Sequence, residues 1–202
     1  ISYRLPVASA QVKSALLLAG LYASGETEVI EPEPTRDHTE RMLGYMGVAL
    51  RRNGESITIT PQERDFTGRE ISVPADISSA AFFMVAALIN PGSEVLIKNV
   101  GVNPLRTGVI DILKDMGGDI SMLNERDVSG EPVADLLVKA SALRGVTIGG
   151  GLIPRAIDEL PVIAAAAAYA EGTTVIKDAA ELRVKETDRI KSIAAELGKM
   201  GA

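Results

Sequence analysis

Apolar and polar positions follow one grammar three times along the chain. Each copy opens with a helix-length run rich in alanine and leucine. It turns at a glycine into a β-branched strand and closes with a one-sided helix ending in Met-Gly. The first copy runs from Ala10-Gln11-Val12-Lys13-Ser14 through Leu21, then Gly25-Glu26-Thr27-Glu28-Val29-Ile30, to Met46-Gly47. The second runs over residues 77–89, then Gly92-Ser93-Glu94-Val95-Leu96-Ile97, to Met116-Gly117. The third runs over residues 160–170, then Gly172-Thr173-Thr174-Val175-Ile176, to Met200-Gly201.

In the closing helices apolar residues recur at i, i+3, i+4 and i+7. They are Val109, Ile112, Leu113 and Met116 in the second copy, and Ile190, Ile193, Ala194 and Leu197 in the third. The first copy has Thr39, Met42, Leu43 and Met46, with one polar member. This spacing predicts helices lying on a surface by one face. The opening helices are apolar nearly all round, which predicts burial on every side. Further strands are expected at residues 1–5, 56–60, 70–73, 119–122 and 136–139. The fold class expected is therefore α/β, in repeated units with one buried and one outer helix each. Strand-like residues follow Met-Gly in the first two copies, whereas in the third the chain stops there. Residues 1–5 form a strand with no unit before them. The repeat thus predicts part of a longer repeat protein. Its boundary is expected near residues 67–74, after the polar stretch 61–69, dividing the chain into 1–70 and 71–202.

Composition narrows the chemistry. The chain has no cysteine, which excludes disulfides, thiolate zinc sites and a cysteine nucleophile. His38 is the sole histidine, which argues against a histidine metal cluster or a serine–histidine triad. A net charge of −6 and 3% aromatic residues argue against nucleic acid as partner. The longest apolar runs, 80–89 and 162–170, fall short of the roughly 18 residues that span a membrane. With no signal or lipidation motif in view, no membrane partner and a cytoplasmic location are expected.

Polar residues gather where the opening helices begin: Ser9 and Gln11, then Asp76, Ser78 and Ser79, then Asp158 and Glu159 before Pro161. They serve as N-caps in one reading. In the other, helices packed in parallel would share a face of positive helix ends and unpaired N–H groups, which attracts phosphate or carboxylate. Asp158 would then stay ionised and act as a base. A second cluster is Glu181-Leu182-Arg183-Val184-Lys185-Glu186-Thr187-Asp188-Arg189. A helix there would put Lys185 and Arg189 on one face with Glu186 about 100° round, suiting an anionic substrate and a proton transfer. A solvated helix start with weak ion pairs explains the same letters. Arg36 and Arg106 remain ambiguous. Gly149-Gly150-Gly151 reads as a flexible connection, and His38 as a polar helix start.

At these residues the sequence resembles the 5-enolpyruvylshikimate-3-phosphate synthases. The segments concerned are Ala8-Ser9-Ala10-Gln11-Val12-Lys13-Ser14-Ala15, Thr35-Arg36-Asp37-His38-Thr39-Glu40, Asp76-Ile77-Ser78-Ser79-Ala80, Asn103-Pro104-Leu105-Arg106-Thr107-Gly108, Ile153-Pro154-Arg155-Ala156-Ile157-Asp158-Glu159-Leu160-Pro161 and Leu182-Arg183-Val184-Lys185-Glu186-Thr187-Asp188-Arg189. They occur in the family's order across the whole chain, and the last is the most specific.

The resemblance implies βαβαββ units around buried parallel helices, a partial inside-out α/β barrel. It implies transfer of the enolpyruvyl group of phosphoenolpyruvate to the 5-hydroxyl of shikimate 3-phosphate, with no metal or organic cofactor and a monomer at full length. By this likeness Ser9, Gln11, Arg36, Asp158 and Lys185 would hold shikimate 3-phosphate. Gln11, Glu186 and Arg189 would hold phosphoenolpyruvate. Asp158 would accept the 5-hydroxyl proton, and Glu186 would handle the proton at the methylene carbon. Ala10 stands where the family often has a second serine. The family's lysine-serine motif, its glycine-bearing phosphoenolpyruvate loop and its late histidine-arginine and lysine have no counterpart, so these 202 residues alone are expected not to turn over. A non-catalytic anion-binding scaffold of the same fold is the alternative. The sister reaction on UDP-N-acetylglucosamine is disfavoured by the Arg183–Arg189 motif and the lack of cysteine.

Overall fold

The structure, a computed structural model, describes residues 1–61 and 68–202. Thr67 and most of the polar stretch 61–69, where the expected boundary begins, lie outside the described residues. The chain divides into two compact units, Ile1–Val73 with Asp127–Glu131, and Pro74–Arg126 with Pro132–Ala202. No described helix is long and apolar enough to cross a membrane.

In the first unit, β1 (Ser2–Arg4) lies parallel to β2 (Thr27–Ile30). The strand β4 (Ser56–Ile59) runs antiparallel to both β2 and β3 (Leu50–Asn53), giving the order β1-β2-β4-β3. Alternation along the strands buries Val29, Ile57 and Ile59. They form one cluster with Leu17 of α1 (Ala10–Gly20) and Leu43 of α2 (His38–Tyr45). The approach of α1 is close enough that a Cβ added at Gly20 would sit 2.6 Å from Ile59 Cγ2.

The expectation that this helix is buried on every side is corrected here. Lys13, Leu17 and Gly20, spaced for one face, are buried, while Val12 and Leu18 are exposed. Burial follows the stripe that meets the sheet, and at its centre a lysine is tolerated because carboxylates neutralise it.

In the second unit, α3 (Ile77–Ile89) packs on β5 (Glu94–Gly101) and α6 (Leu160–Ala168). Its buried residues include Ala80, Ala81, Met84 and Leu88, but Phe82 and Phe83 are each 64% exposed. Two neighbours cover one side of a 13-residue helix and leave the other open, so all-round burial fails here too. The strand β5 pairs antiparallel with β7 (Glu131–Lys139) in a sheet of order β5-β7-β6, where β6 is Asp119–Val128. The short strands β8 (Thr147–Ile148) and β9 (Val175–Ile176) pair in parallel. The helices α4 (Gly108–Asp115), α5 (Leu152–Ala156) and α7 (Arg189–Lys199) complete the unit. Residues 70–73 are not a strand: Pro74 has no N–H for a ladder, and the Ser72 N–H donates to Ser129 Oγ instead.

The repeat is visible in geometry at its Met-Gly pairs. Gly47, Gly117 and Gly201 have φ of +88°, +96° and +89°. In each case the next residue's N–H returns to a carbonyl five residues back: Val48 to Leu43, Gly118 to Leu113, Ala202 to Leu197. This is the left-handed helix end that glycine adopts without a Cβ penalty.

Candidate functional site

The site residues expected from sequence divide between the units. Ser9, Gln11 and Arg36 stand on the first; Asp158, Lys185, Glu186 and Arg189 stand on the second. Ser9 caps α1, its Oγ accepting the Val12 N–H at 3.3 Å, and Gln11 is exposed in the first turn. Arg36 is half-buried in the segment leading to α2.

That segment is held from beneath. Lys13 Nζ lies 3.1 Å from Glu31 Oε2 and 2.8 Å from Glu40 Oε1, and it donates to the Thr35 carbonyl at 3.3 Å. Glu31 Oε2 also accepts from the Thr35 hydroxyl and N–H, at 2.7 and 3.2 Å, and Glu31 Oε1 meets Arg52 at 2.8 Å. The backbone next to Arg36 is thereby tied to the inner face of α1.

In the second unit, Ser78, Phe82, Asp158, Glu186 and Arg189 line a cavity of about 460 Å³. Arg189, the first residue of α7, bridges two carboxylates: its Nη1 lies 3.4 Å from Asp158 Oδ1, and its Nε and Nη2 donate to Glu186 Oε1 and Oε2, each at 2.9 Å. The hydrogen bond from Arg189 holds the Glu186 carboxyl below the usual glutamate range, and Glu186 in turn raises the Arg189 guanidinium. A cavity with two carboxylates on one cation can bind an anion and move protons, provided the anion displaces a carboxylate from the guanidinium.

Lys185 is not among the cavity residues and pairs with Glu181 at 2.5 Å. The helical reading of residues 185–189 does not hold. A 3₁₀ turn covers Ala180–Arg183, the chain then bends, and Asp188 caps α7 by accepting the Lys191 N–H at 3.0 Å. Lys185 and Arg189 therefore share no helix face.

Sequence reasoning undervalued three residues around Asp158. Glu159, 2% exposed, holds the N-cap position of α6 without capping it. Its Oε1 accepts from Ser78 Oγ at 2.5 Å and lies 3.5 Å from Arg106 Nη2. Arg106 donates to Ser78 Oγ at 2.7 Å and faces Asp76 at 3.7 Å. Asp76 itself caps α3 through the Ser79 N–H; burial pushes its carboxyl up, but the Ser79 and Ser78 hydrogen bonds and Arg106 bring it below the usual range. The polar run at each helix start was a signal for these residues, but nothing local joins positions 78, 106 and 159. Among the described residues no group of three or more His, Asp or Glu is arranged to hold a metal ion.

The EPSP synthase (3-phosphoshikimate 1-carboxyvinyltransferase) family model matches residues 1–202, so the chain belongs to that family. It is 65% identical over 201 residues to a 3-phosphoshikimate 1-carboxyvinyltransferase of Geotalea uraniireducens, covering 100% of this chain and 46% of that protein. It is 63% identical to the protein of that name from Geobacter sulfurreducens, covering 100% of this chain and 47% of the relative. An EPSP synthase structure from Acinetobacter baumannii superposes with a TM-score of 0.92 at 53% identity, over 100% of this chain and 45% of that one. The fold is thus the α/β architecture of these synthases, and the chain spans less than half the length of the curated relatives it matches.

Proposed function

We propose that this chain is part of an enzyme that transfers the enolpyruvyl group of phosphoenolpyruvate to the 5-hydroxyl of shikimate 3-phosphate, releasing phosphate, in aromatic amino acid biosynthesis. Residues 1–70 are the last repeat unit of its N-terminal domain, and 71–202 the first two repeat units of its C-terminal domain, the second of them incomplete. The full-length enzyme is a cytoplasmic monomer without metal or organic cofactor.

The observation that carries this reading is the pair of carboxylates, Asp158 and Glu186, on the one guanidinium of Arg189 at a shared cavity. Addition of an alcohol to an enol phosphate needs a base at the hydroxyl and an acid at the methylene carbon, and carboxylates in different surroundings divide those tasks. Asp158 takes the 5-hydroxyl proton as the new C–O bond forms. Glu186 supplies a proton to the methylene carbon and recovers one from it as the bond to phosphate breaks. Arg189 offsets the charge of phosphoenolpyruvate, and Gln11 is assigned to the same substrate. Ser9, Gln11, Arg36 and Lys185 hold shikimate 3-phosphate. When the phosphoenolpyruvate anion takes the place of Glu186 on Arg189, the Glu186 carboxyl loses the hydrogen bond that lowers it and takes up from solvent the proton it then delivers.

The test is a chimera in which this chain replaces the matching segment of the 65%-identical relative. Phosphate release that requires both substrates is expected, with none from the 202-residue chain alone. A folded chimera that binds both substrates without turnover contradicts the enzyme reading and leaves the scaffold alternative.

A further inference from the structure

Ser78 lines the cavity with Asp158, yet its hydroxyl is already engaged on two sides. Its Oγ donates to Glu159 Oε1 and accepts from Arg106 Nη2 at 2.7 Å. A guanidinium only donates, a carboxylate only accepts, and a hydroxyl has one proton and two lone pairs. The hydroxyl proton is therefore spent on Glu159, one lone pair is spent on Arg106, and one lone pair remains. Neither partner is free to swing away: the side chains of Glu159 and Arg106 are 1% and 16% exposed, and they contact each other at 3.5 Å.

We infer that Arg106 and Glu159 lock Ser78 as a hydrogen-bond acceptor that reads an alcohol O–H of the bound substrate. A serine in a phosphate site normally donates; this one has no proton to give, and its remaining lone pair disfavours a phosphate or carboxylate oxygen. The inference rests on the proposed acceptor, shikimate 3-phosphate. That molecule carries a 4-hydroxyl beside the 5-hydroxyl assigned to Asp158, and the 4-hydroxyl is the group Ser78 accepts from. Ser78 thus sets specificity, while Arg106 and Glu159 act through it as positioning residues.

Calorimetric binding of shikimate 3-phosphate and of its 4-deoxy analogue to the chimera decides the matter, because it needs no turnover. Ser78→Ala is expected to weaken the parent ligand by roughly threefold to tenfold, the size of one neutral hydrogen bond, and to leave the 4-deoxy analogue unchanged. Ser78→Thr, which keeps the hydroxyl, restores the difference between the two ligands. Where the chimera turns over, KM for shikimate 3-phosphate rises in Ser78→Ala and KM for phosphoenolpyruvate does not. Equal weakening of both ligands, or of neither, overturns the inference. A chimera inactive with its native Ser78 counts against the enzyme reading alone, since the paired titrations still decide the role of Ser78.

Discussion

Lys13 Nζ lies 3.1 Å from Glu31 Oε2, and both side chains are completely withdrawn from solvent. With Glu40 and Arg52 they make a charge-balanced knot that fixes α1, the end of β2 and the segment carrying Arg36. A buried ion pair adds little net stability, but removing one partner strands the other.

Lys13→Met is therefore expected to cost about 3–5 kcal/mol, and the double change Lys13→Met with Glu31→Gln to cost less than Lys13→Met alone. Urea unfolding of the three proteins measures both. A single variant within about 0.5 kcal/mol of the parent contradicts the knot, since exposed substitutions fall in that range.

Two glycines separate close approach from helix entropy. A Cβ at Gly20 meets Ile59 and Thr27 at 2.6 and 3.0 Å, so Gly20→Ala is expected to destabilise by about 1–3 kcal/mol. Gly44, inside α2, has nothing within 4 Å of an added Cβ, so Gly44→Ala is expected to stabilise by about 0.5–1 kcal/mol. Opposite shifts in melting temperature are the expected readout; shifts of the same sign contradict the packing of α1.

Glu186 supplies a pH test. Its hydrogen bonds to Arg189 lower the folded pKa, so the pair is fully formed above the ordinary glutamate range and breaks as pH falls through the lowered value. Carboxyl carbon NMR of the chain is expected to place the Glu186 midpoint below that of a free glutamate. Arg189→Met is expected to move it upward. A midpoint indifferent to that substitution means the pair does not persist in solution.

Much of this is legible in the chain because the signals are local. The 3.6-residue period locates α4 and α7, residues 77–89 match α3, and the Met-Gly pairs mark the helix ends. The burial of α1 is not legible from its many apolar letters, because only one face of the helix meets the sheet and Lys13 sits on that face. The relation of Lys185 to Arg189 escapes a helical reading because a capping aspartate, Asp188, starts the helix after Lys185. Ser78, Arg106 and Glu159 are each visible as polar letters at helix starts. Their convergence depends on α3 packing against α6, a contact that joins segments some eighty positions apart and leaves no local pattern.

The central claim is that Asp158 and Glu186 share a cation and divide the proton transfers, Asp158 at the hydroxyl and Glu186 at the methylene carbon. Steady-state phosphate release by the chimera carrying Asp158→Asn or Glu186→Gln tests it most directly. Each is predicted to lower kcat by about a hundredfold or more with the melting temperature little changed. Near-parental kcat in both, with only stability altered, would contradict the account and make the two carboxylates structural partners of Arg189.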